Sequence, residues 1–442
     1  MTRSIEGRFA RDWVIPRRSY PMERGFGGRS VPPTSSVDEQ RVRTCARCQR
    51  SRNLNVPAMH ILILTDRDWN HPQTGGTGVH LTGQIDHWLA WGHSVTVIAG
   101  GYDNSLPFER IGNLTVYRVG TRVSVFPQTI IKGLLQRVPK ADVTLEIING
   151  ICWMTPLWHR GPRVSLIHHV HKAMYVDEMG TKGRFAGLAL ETAPLRTIYQ
   201  RSQFLVVSEA TREEVATTHR IPSSSIAVVY PGVDHEYFQP GPKSEEPTMV
   251  FLGRLKAYKR VETLLDVVGA IDGLTLDIVG DGDHAPKVQE VARAKGLEGR
   301  VRFHGHVDDE TKRRLLSRSW LAATASSAEG WSSSTLEAAA SGTPTVAHPV
   351  GGLNESIVNG QTGLHAETVA DFVAAVQRVI GDDDLRTRLS VQARARAATL
   401  GWDRSAAGTL EVLERAAFGE PCREQEQEAT ASPSISAAPS DN

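Results

Sequence analysis

The chain is poor in cysteine: its 442 residues hold four, at positions 45, 48, 152 and 422, too few and too scattered for a disulfide framework. Such usage suits a reducing compartment. Net charge is nearly absent as well, with 50 lysines and arginines against 49 aspartates and glutamates, or +1 overall, so the chain as a whole is no polyanion binder. No apolar run approaches the roughly 18 residues that cross a bilayer. That excludes a helical span and leaves peripheral membrane contact open. Arg17-Arg18 is not followed by the apolar stretch of an export signal. Cys45-x-x-Cys48 is half of a zinc-ribbon ligand set without a second pair nearby, which argues against a structural zinc.

What is present begins with an arginine-rich arm. Residues 1–58 carry twelve arginines against five acids and no sustained apolar period, and read as a disordered extension. Without a folded reader, its contacts with nucleic acid or anionic lipid would be salt-sensitive and unspecific. Met59 opens MHILILT, which reads as the first strand of an α/β domain, and we place the start of translation there. N-terminal sequencing that finds residues 1–58 in the native protein would end that idea.

From Met59 the pattern alternates. The apolar strand His60 to Thr65 leads to a Gly-rich loop at Thr74 to Gly78, then to a helical stretch ending near Gly92 and a strand at Ser94 to Ala99. This β-loop-α-β unit starts a doubly wound parallel sheet. Glycines after a first strand let the backbone approach a phosphate closely. The loop departs from G-x-G-x-x-G and no acid ends the second strand, so dinucleotide binding is the poorer reading. Further strands are expected at Thr115–Val119, Val143–Ile148, Arg163–His168, Phe204–Val207 and Ile226–Val229. The third ends in His168-His169-x-His171, where 169 and 171 share one face and 168 takes the other. A metal site would need a further converging ligand, and none stands nearby at a sensible spacing. At the carboxyl edge of a sheet a histidine lines the crevice in which such sheets bind ligands.

Tyr230 to Pro247 is rich in proline and glycine and marks a domain boundary. The alternation then restarts with strand Met249 to Leu252, followed by Gly253-Arg254-Leu255-Lys256-Ala257-Tyr258-Lys259. Arg254 offers a rigid fork of donors and Lys259 a mobile point charge, and both can reach one diphosphate. Strands at Leu274–Val279 and Val301–His304 follow. The stretch Ser326 to Ala347 places Glu329 and Glu337 eight positions apart, the first in a loop, the second in the first turn of a helix that is opened by the capping box Ser334-x-x-Glu337, stops at Gly342 and gives way to a short strand after Pro344. A helix entered through such a loop aims free N–H groups and a positive dipole end at one point, where an anion should sit.

The pattern E-G-x5-LEA-x3-GTP-x-VA, preceded by G-R-x4-K, resembles the signature of retaining glycosyltransferases of family 4, also called glycosyl transferases group 1. The resemblance covers roughly Met59 to Ala417. It implies the GT-B fold, an α/β architecture of two Rossmann-like doubly wound parallel-sheet domains facing across a cleft. The expected boundaries are an N-terminal acceptor-side domain at 59–237, a nucleotide-sugar-binding domain at 238–400, a helix at 401–418 crossing back, and a disordered tail at 419–442. By the same resemblance Arg254 and Lys259 hold the donor pyrophosphate, with Lys256 a competitor for the lysine role. Glu329 contacts the donor sugar and Glu337 the ribose. Gly75 and Gly76 face the donor from the first domain, Gly76 being the better match. His168 is the cleft histidine, with His171 as the fallback. Backbone groups near Val307 read the base, and Gly330, Trp331, Ser332 and Ser333 complete the donor loop. The family places glycine where this chain has Ser332, whose Cβ could crowd a phosphate.

The implied activity, in the EC 2.4 class, moves a sugar from a UDP- or GDP-sugar to an acceptor hydroxyl with retention, the acceptor being a glycan, lipid or small molecule. No cofactor is implied. No Asp-x-Asp motif stands between the domains, so no metal is strictly required. The implied location is the cytoplasm, including the inner face of the membrane. A GT-B sugar-nucleotide epimerase and a non-catalytic sugar-nucleotide-binding protein are the alternatives.

Overall fold

The computed structural model describes residues 57–419, apart from 172–174, 176–181 and 184. The expectations for the arginine-rich arm, for Cys45-x-x-Cys48 and for the tail beyond 419 lie outside the described residues.

Two parallel sheets carry the fold. The first is formed by β1 (His60–Leu64), β2 (Ser94–Ala99), β3 (Phe108–Ile111), β4 (Leu114–Arg118), β5 (Val143–Ile148), β6 (Arg163–Ile167), β7 (Gln203–Val206) and β8 (Ile226–Val228), in the order β3-β4-β2-β1-β5-β6-β7-β8. Its central strands are largely apolar, as in HILIL, because helices cover both faces of a parallel sheet. Glu146 is a buried acid within β5, and its carboxylate accepts hydrogen bonds from Thr155, Ser165 and Tyr199 at 2.7, 2.7 and 2.9 Å. The second sheet holds β9 (Thr248–Leu252), β10 (Thr275–Val279), β11 (Val301–Gly305), β12 (Leu321–Thr324), β13 (Thr345–Ala347) and β14 (Gly363–His365), in the order β11-β10-β9-β12-β13-β14.

Each sheet therefore reverses its winding beside its own first strand, between β1 and β5 and between β9 and β12. Ligands of such sheets bind at the carboxyl ends of the strands flanking the reversal. The segments that follow β9 and β12 are those that carry Arg254 to Lys259 and Ser326 to Ser332.

Three strands escape the apolar-run criterion. β3, with the sequence FERI, is mostly exposed and pairs antiparallel at the sheet edge, so it needs no apolar pattern. β12 and β14, LAAT and GLH, are too short to show a period. They become strands because neighbours offer them ladders, as in Leu321 with Met249 and Thr345 with Gly363.

Four helices position the site: α1 (Gly75–Ala90), α2 (Asp309–Arg318), α3 (Ser333–Ala340) and α4 (Trp402–Phe418). The Gly-rich stretch expected as a free loop is in fact the first turn of α1, and only Gly75 keeps a positive φ, +59°. α4 leaves the second domain and packs on the first, where Gln84 donates to Thr409 Oγ1 at 2.7 Å and the Trp88 indole to the Ala406 carbonyl at 2.9 Å. One apolar cluster runs from Ile61 and Ile63 of β1 through Leu410 and Leu413 of α4 to Trp331 and Leu336 of the second domain. No described helix is long and apolar enough to cross a membrane.

Candidate active site

The loop after β9 is set by close backbone packing. An added Cβ on Gly280 would lie 2.1 Å from the Gly253 carbonyl, and Gly280 has φ +124°, so only glycine lets the ends of β9 and β10 approach in this way. From this loop Lys259 reaches across the reversal point to pair with Glu329 in the segment after β12. Ser326 Oγ donates to the same carboxylate at 2.8 Å, and Ser327 N donates to the Tyr258 carbonyl at 2.8 Å, which ties the two loops together. Burial disfavours the Lys259 charge, yet Glu329 and Tyr258 outweigh it and hold the ammonium above the ordinary lysine value. Lys256 is not in this group; its ammonium pairs with Asp283 at 2.7 Å, which removes it as a competitor.

Arg254, from the same loop, is close enough to disfavour the Lys259 charge and also reaches the first domain. A Cβ built on Gly75 would lie 3.2 Å from its Nε, whereas one on Gly76 would meet nothing within 4 Å. So Gly75 faces the arginine, and Gly76 faces none of the described residues. Arg67, from the segment following β1, is a third cation here and was not singled out from the sequence. It is 5 % exposed and its pKa is lowered to about 10, by burial first and then by Arg122 and Arg254, against the opposing pull of Asp66. No motif marks Arg67, but its place just beyond β1, beside a winding reversal, is a signal that could have found it.

The first domain also supplies histidines. β6 ends at Ile167, and the predicted division of faces persists beyond it: His169 and His171 stack at 4.1 Å while His168 turns to His80 of α1, with His168 Nε2 and His80 Nδ1 2.9 Å apart. His171 is taken up by buried Glu191, whose carboxylate accepts its backbone N–H and lies 3.6 Å from its Nδ1. The His168 ring stays with His80 of the first domain, the ring whose charge Lys259 and Arg254 disfavour is that of His169, and His168 meets the second domain through its backbone. There a Cβ on Gly330 would lie 1.8 Å from the His168 carbonyl oxygen. A second tie crosses the domains at Glu355, which accepts the N–H groups of Glu209 and Ala210 at 3.0 and 2.7 Å.

The donor loop differs from expectation in three respects. The capping box does not form: α3 begins at Ser333, one residue before the predicted cap, with Ser332 at φ +90° as N-cap and no side-chain cap bond. Its first N–H groups are thus left without a side-chain acceptor. Glu337 consequently falls in the second turn, 7 % exposed, accepting from Lys312 of α2 at 3.1 Å. Burial pushes the Glu337 carboxyl up, against the pull of Lys312. Finally, the Trp331 ring is buried and lies 4.7 Å from that of Tyr230, so its side chain belongs to the interdomain core. Ser333 opens α3, and Val307 follows β11 and packs on the interdomain cluster. Among the described residues no group of three or more His, Cys, Asp or Glu is arranged to hold a metal ion.

Ser332 carries strain that a glycine would not. A non-glycine residue held at an unfavourable positive φ costs about 1–3 kcal/mol, and the added freedom of glycine in the unfolded chain costs about 0.4–1 kcal/mol. Ser332→Gly is expected to stabilise the fold by roughly 1 kcal/mol, read as a higher midpoint in urea unfolding. A lowered midpoint would contradict this.

Two facing doubly wound domains, with a returning C-terminal helix and cations collected at both winding reversals, define a GT-B glycosyltransferase, a transferase of the EC 2.4 class. Residues 74–237 match the family described as Glycosyltransferase Family 4, and residues 233–396 match Glycosyl transferases group 1. The chain belongs to this glycosyltransferase family. It is 27 % identical over 390 residues to an uncharacterized glycosyltransferase of Methanocaldococcus jannaschii, covering 80 % of this chain and 97 % of the relative. It is also 27 % identical over 286 residues to a D-inositol 3-phosphate glycosyltransferase of a Nocardioides species, covering 57 % of this chain and 62 % of that one. Among solved structures, sucrose-phosphate synthase from Thermosynechococcus elongatus superposes with a TM-score of 0.70 at 18 % identity, covering 80 % of this chain and 98 % of that one. Anabaena HepE in complex with UDP and glucose gives 0.64 at 16 %, covering 80 % and 99 %.

Proposed function

We propose that the protein transfers a sugar from a nucleoside diphosphate sugar, with a uridine or guanosine base, to an acceptor hydroxyl and retains the anomeric configuration. The observation that carries this reading is the grouping of Arg254 and the Lys259–Glu329 pair at the second reversal point, facing Gly75 of the first domain. As the sugar–phosphate bond breaks, negative charge collects on the departing diphosphate. Arg254, Lys259 and the uncapped N–H groups of α3 form a field already oriented to receive it, the role a divalent ion would otherwise fill. In this reading no metal is needed. Glu329 is engaged by Lys259 and Ser326, which suits a group that positions the sugar rather than one that attacks it. The acceptor hydroxyl then enters on the face the diphosphate leaves, and contact between the domains keeps water out. We place the reaction in the cytoplasm, including the inner face of the membrane.

The test is a panel of UDP-, GDP- and ADP-sugars. A ligand that binds only the folded form at 100 times its Kd adds about 2.7 kcal/mol, so the true donor is expected to raise the melting temperature. Consumption of that donor only when acceptor extract is added supports transfer; consumption without acceptor would mark an epimerase, and none under either condition a binding protein. Glu337→Ala is expected to weaken binding of the selected nucleotide, and calorimetry showing equal affinity would refute its role at the ribose.

A further inference from the structure

We propose that the outer face of the helix Val125–Leu134, with Leu157 beside it, docks the protein on an anionic lipid bilayer. The proposal deepens the placement at the inner face of the membrane and rests on that part of the reading alone, not on the sugar chemistry. The helix packs inward through Val125, Phe126, Thr129 and Gly133, with the Phe126 ring 4.2 Å from that of Trp153. A surface helix ordinarily turns charged and polar residues outward. Here the three exposed residues of the helix, Pro127, Ile131 and Leu134, are all apolar. Val123 in the turn before it and Leu135 directly after it continue the same stripe, since positions 123, 127, 131, 134 and 135 recur at helical spacing. The short helix Thr155–Trp158 adjoins it, because Gly133 lets the Trp158 ring approach so closely that an added Cβ would lie 2.1 Å from it. The Trp158 indole is held by a hydrogen bond to the Trp153 carbonyl at 2.9 Å, and the preceding residue is Leu157. Val123, Ile131, Leu134, Leu135 and Leu157 are between 57 and 66 % exposed. Apolar side chains grouped in this way on a surface mark a place of contact.

Charge selects the occupant. From Gly120 to Ala141 the chain holds Arg122, Lys132, Arg137 and Lys140 and no acid, and from Ile147 to His171 it holds Arg160 and Arg163 and no acid. Arg137 and Lys140, just past the end of the helix, and Arg160, two residues past Trp158, are exposed. Cations around an apolar stripe suit a bilayer with anionic headgroups, into which the aliphatic tips insert while the cations stay at the phosphates. A second copy of the chain would bring like-charged rims together. A nucleic acid would engage the cations and leave the stripe in water. The chain's own termini fit no better, since residues 1–58 are cationic like the rim and residues 420–442 hold one large apolar side chain, Ile435. At its other end the helix starts beside the cleft: Arg122 donates to Asp66, in the segment that follows β1, at 2.8 Å and to the Gln73 side chain, just before α1, at 3.2 Å. Docking through this face therefore holds the rim of the cleft at the lipid surface.

Sedimentation of the full-length chain with vesicles tests this. The wild type is expected to bind vesicles of phosphatidylcholine mixed with phosphatidylglycerol, and less tightly as salt is raised. The double variant Leu134→Glu/Leu157→Glu is expected to bind them about tenfold more weakly or worse, since two apolar side chains lose their burial. The arginine-rich arm is common to both proteins, so that difference reads the helix face alone. Both positions are exposed, and an unchanged melting temperature checks the fold of the variant. Arg137→Gln/Lys140→Gln leaves the apolar face intact and is expected to weaken binding about fivefold for each charge removed. Hydrogen exchange in peptides from 121–138 should slow when the mixed vesicles are added. Equal binding by the wild type and the glutamate variant would assign the lipid contact to the arm and overturn the proposal. So would a lack of binding to the mixed vesicles, or a dimer in sedimentation equilibrium that the glutamate variant dissolves. Should that variant fail to fold, the glutamine variant decides, and wild-type binding there overturns the proposal. The donor panel reads sugar transfer separately and is untouched by any of these outcomes.

Discussion

Arg254→Ala or Lys259→Ala is expected to lower turnover by two orders of magnitude or more, the scale seen when one preorganised charge-stabilising donor is removed, about 3–4 kcal/mol. The two variants differ in what else they disturb. Arg254→Ala leaves the Lys259–Glu329 pair in place, so its effect is expected in turnover. Lys259→Ala strands the largely buried Glu329 carboxylate, so part of its effect should appear as a lower melting temperature. Arg254→Lys keeps the charge but loses the planar fork, and is expected to fall between wild type and alanine. Steady-state kinetics with the selected donor decides the matter. Unchanged turnover in both alanine variants would contradict the assignment of these residues to the diphosphate.

Gly330→Ala should be comparably severe for a different reason. The new Cβ would be placed 1.8 Å from the His168 carbonyl oxygen, a backbone atom of the opposing domain held at the end of β6. A flexible side chain could swing away; a peptide oxygen at a strand end cannot. The domains must instead part locally, which displaces His168 and the glycine turn of α1 from the second-domain cations. A misplacement of about 1 Å can cost roughly a hundredfold in rate. Each domain keeps its own sheet and core, so we expect turnover to fall by about that factor while the unfolding transition changes little. Gly299→Ala is the control, since its Cβ would meet nothing within 4 Å on an exposed loop. Wild-type turnover in Gly330→Ala would show that the contact between Gly330 and His168 does not belong to the working geometry.

The elements were legible in the sequence where they are made locally. Apolar runs bounded by glycine and proline marked eleven of the fourteen described strands, and the three they missed are the exposed edge strand β3 and the short β12 and β14. The order Arg254, Lys259, Glu329, Glu337 along the chain carried the family resemblance. Local chemistry also misled. Ser334 and Glu337 have the spacing of a capping box, yet a cap forms only where the chain enters the helix, and the positive φ at Ser332 moves that entry forward. Trp331 looked like a donor contact because it follows Glu329 and Gly330, but an indole buries more apolar surface against Tyr230 than in an open cleft.

Two alternating domains joined by a proline- and glycine-rich segment, and the residue types able to hold a diphosphate, were set by the sequence alone, because periodicity and turn chemistry act over a few residues. Which of those groups meet was decided only in three dimensions. Lys259 finds Glu329 at a separation of 70 residues and His80 finds His168 at 88, while Lys256, three positions from Lys259, is drawn to Asp283 instead. The physical reason is that a side chain's partner, burial and protonation depend on which strand ends the two winding reversals bring together, and strand order is not written in any single stretch of chain.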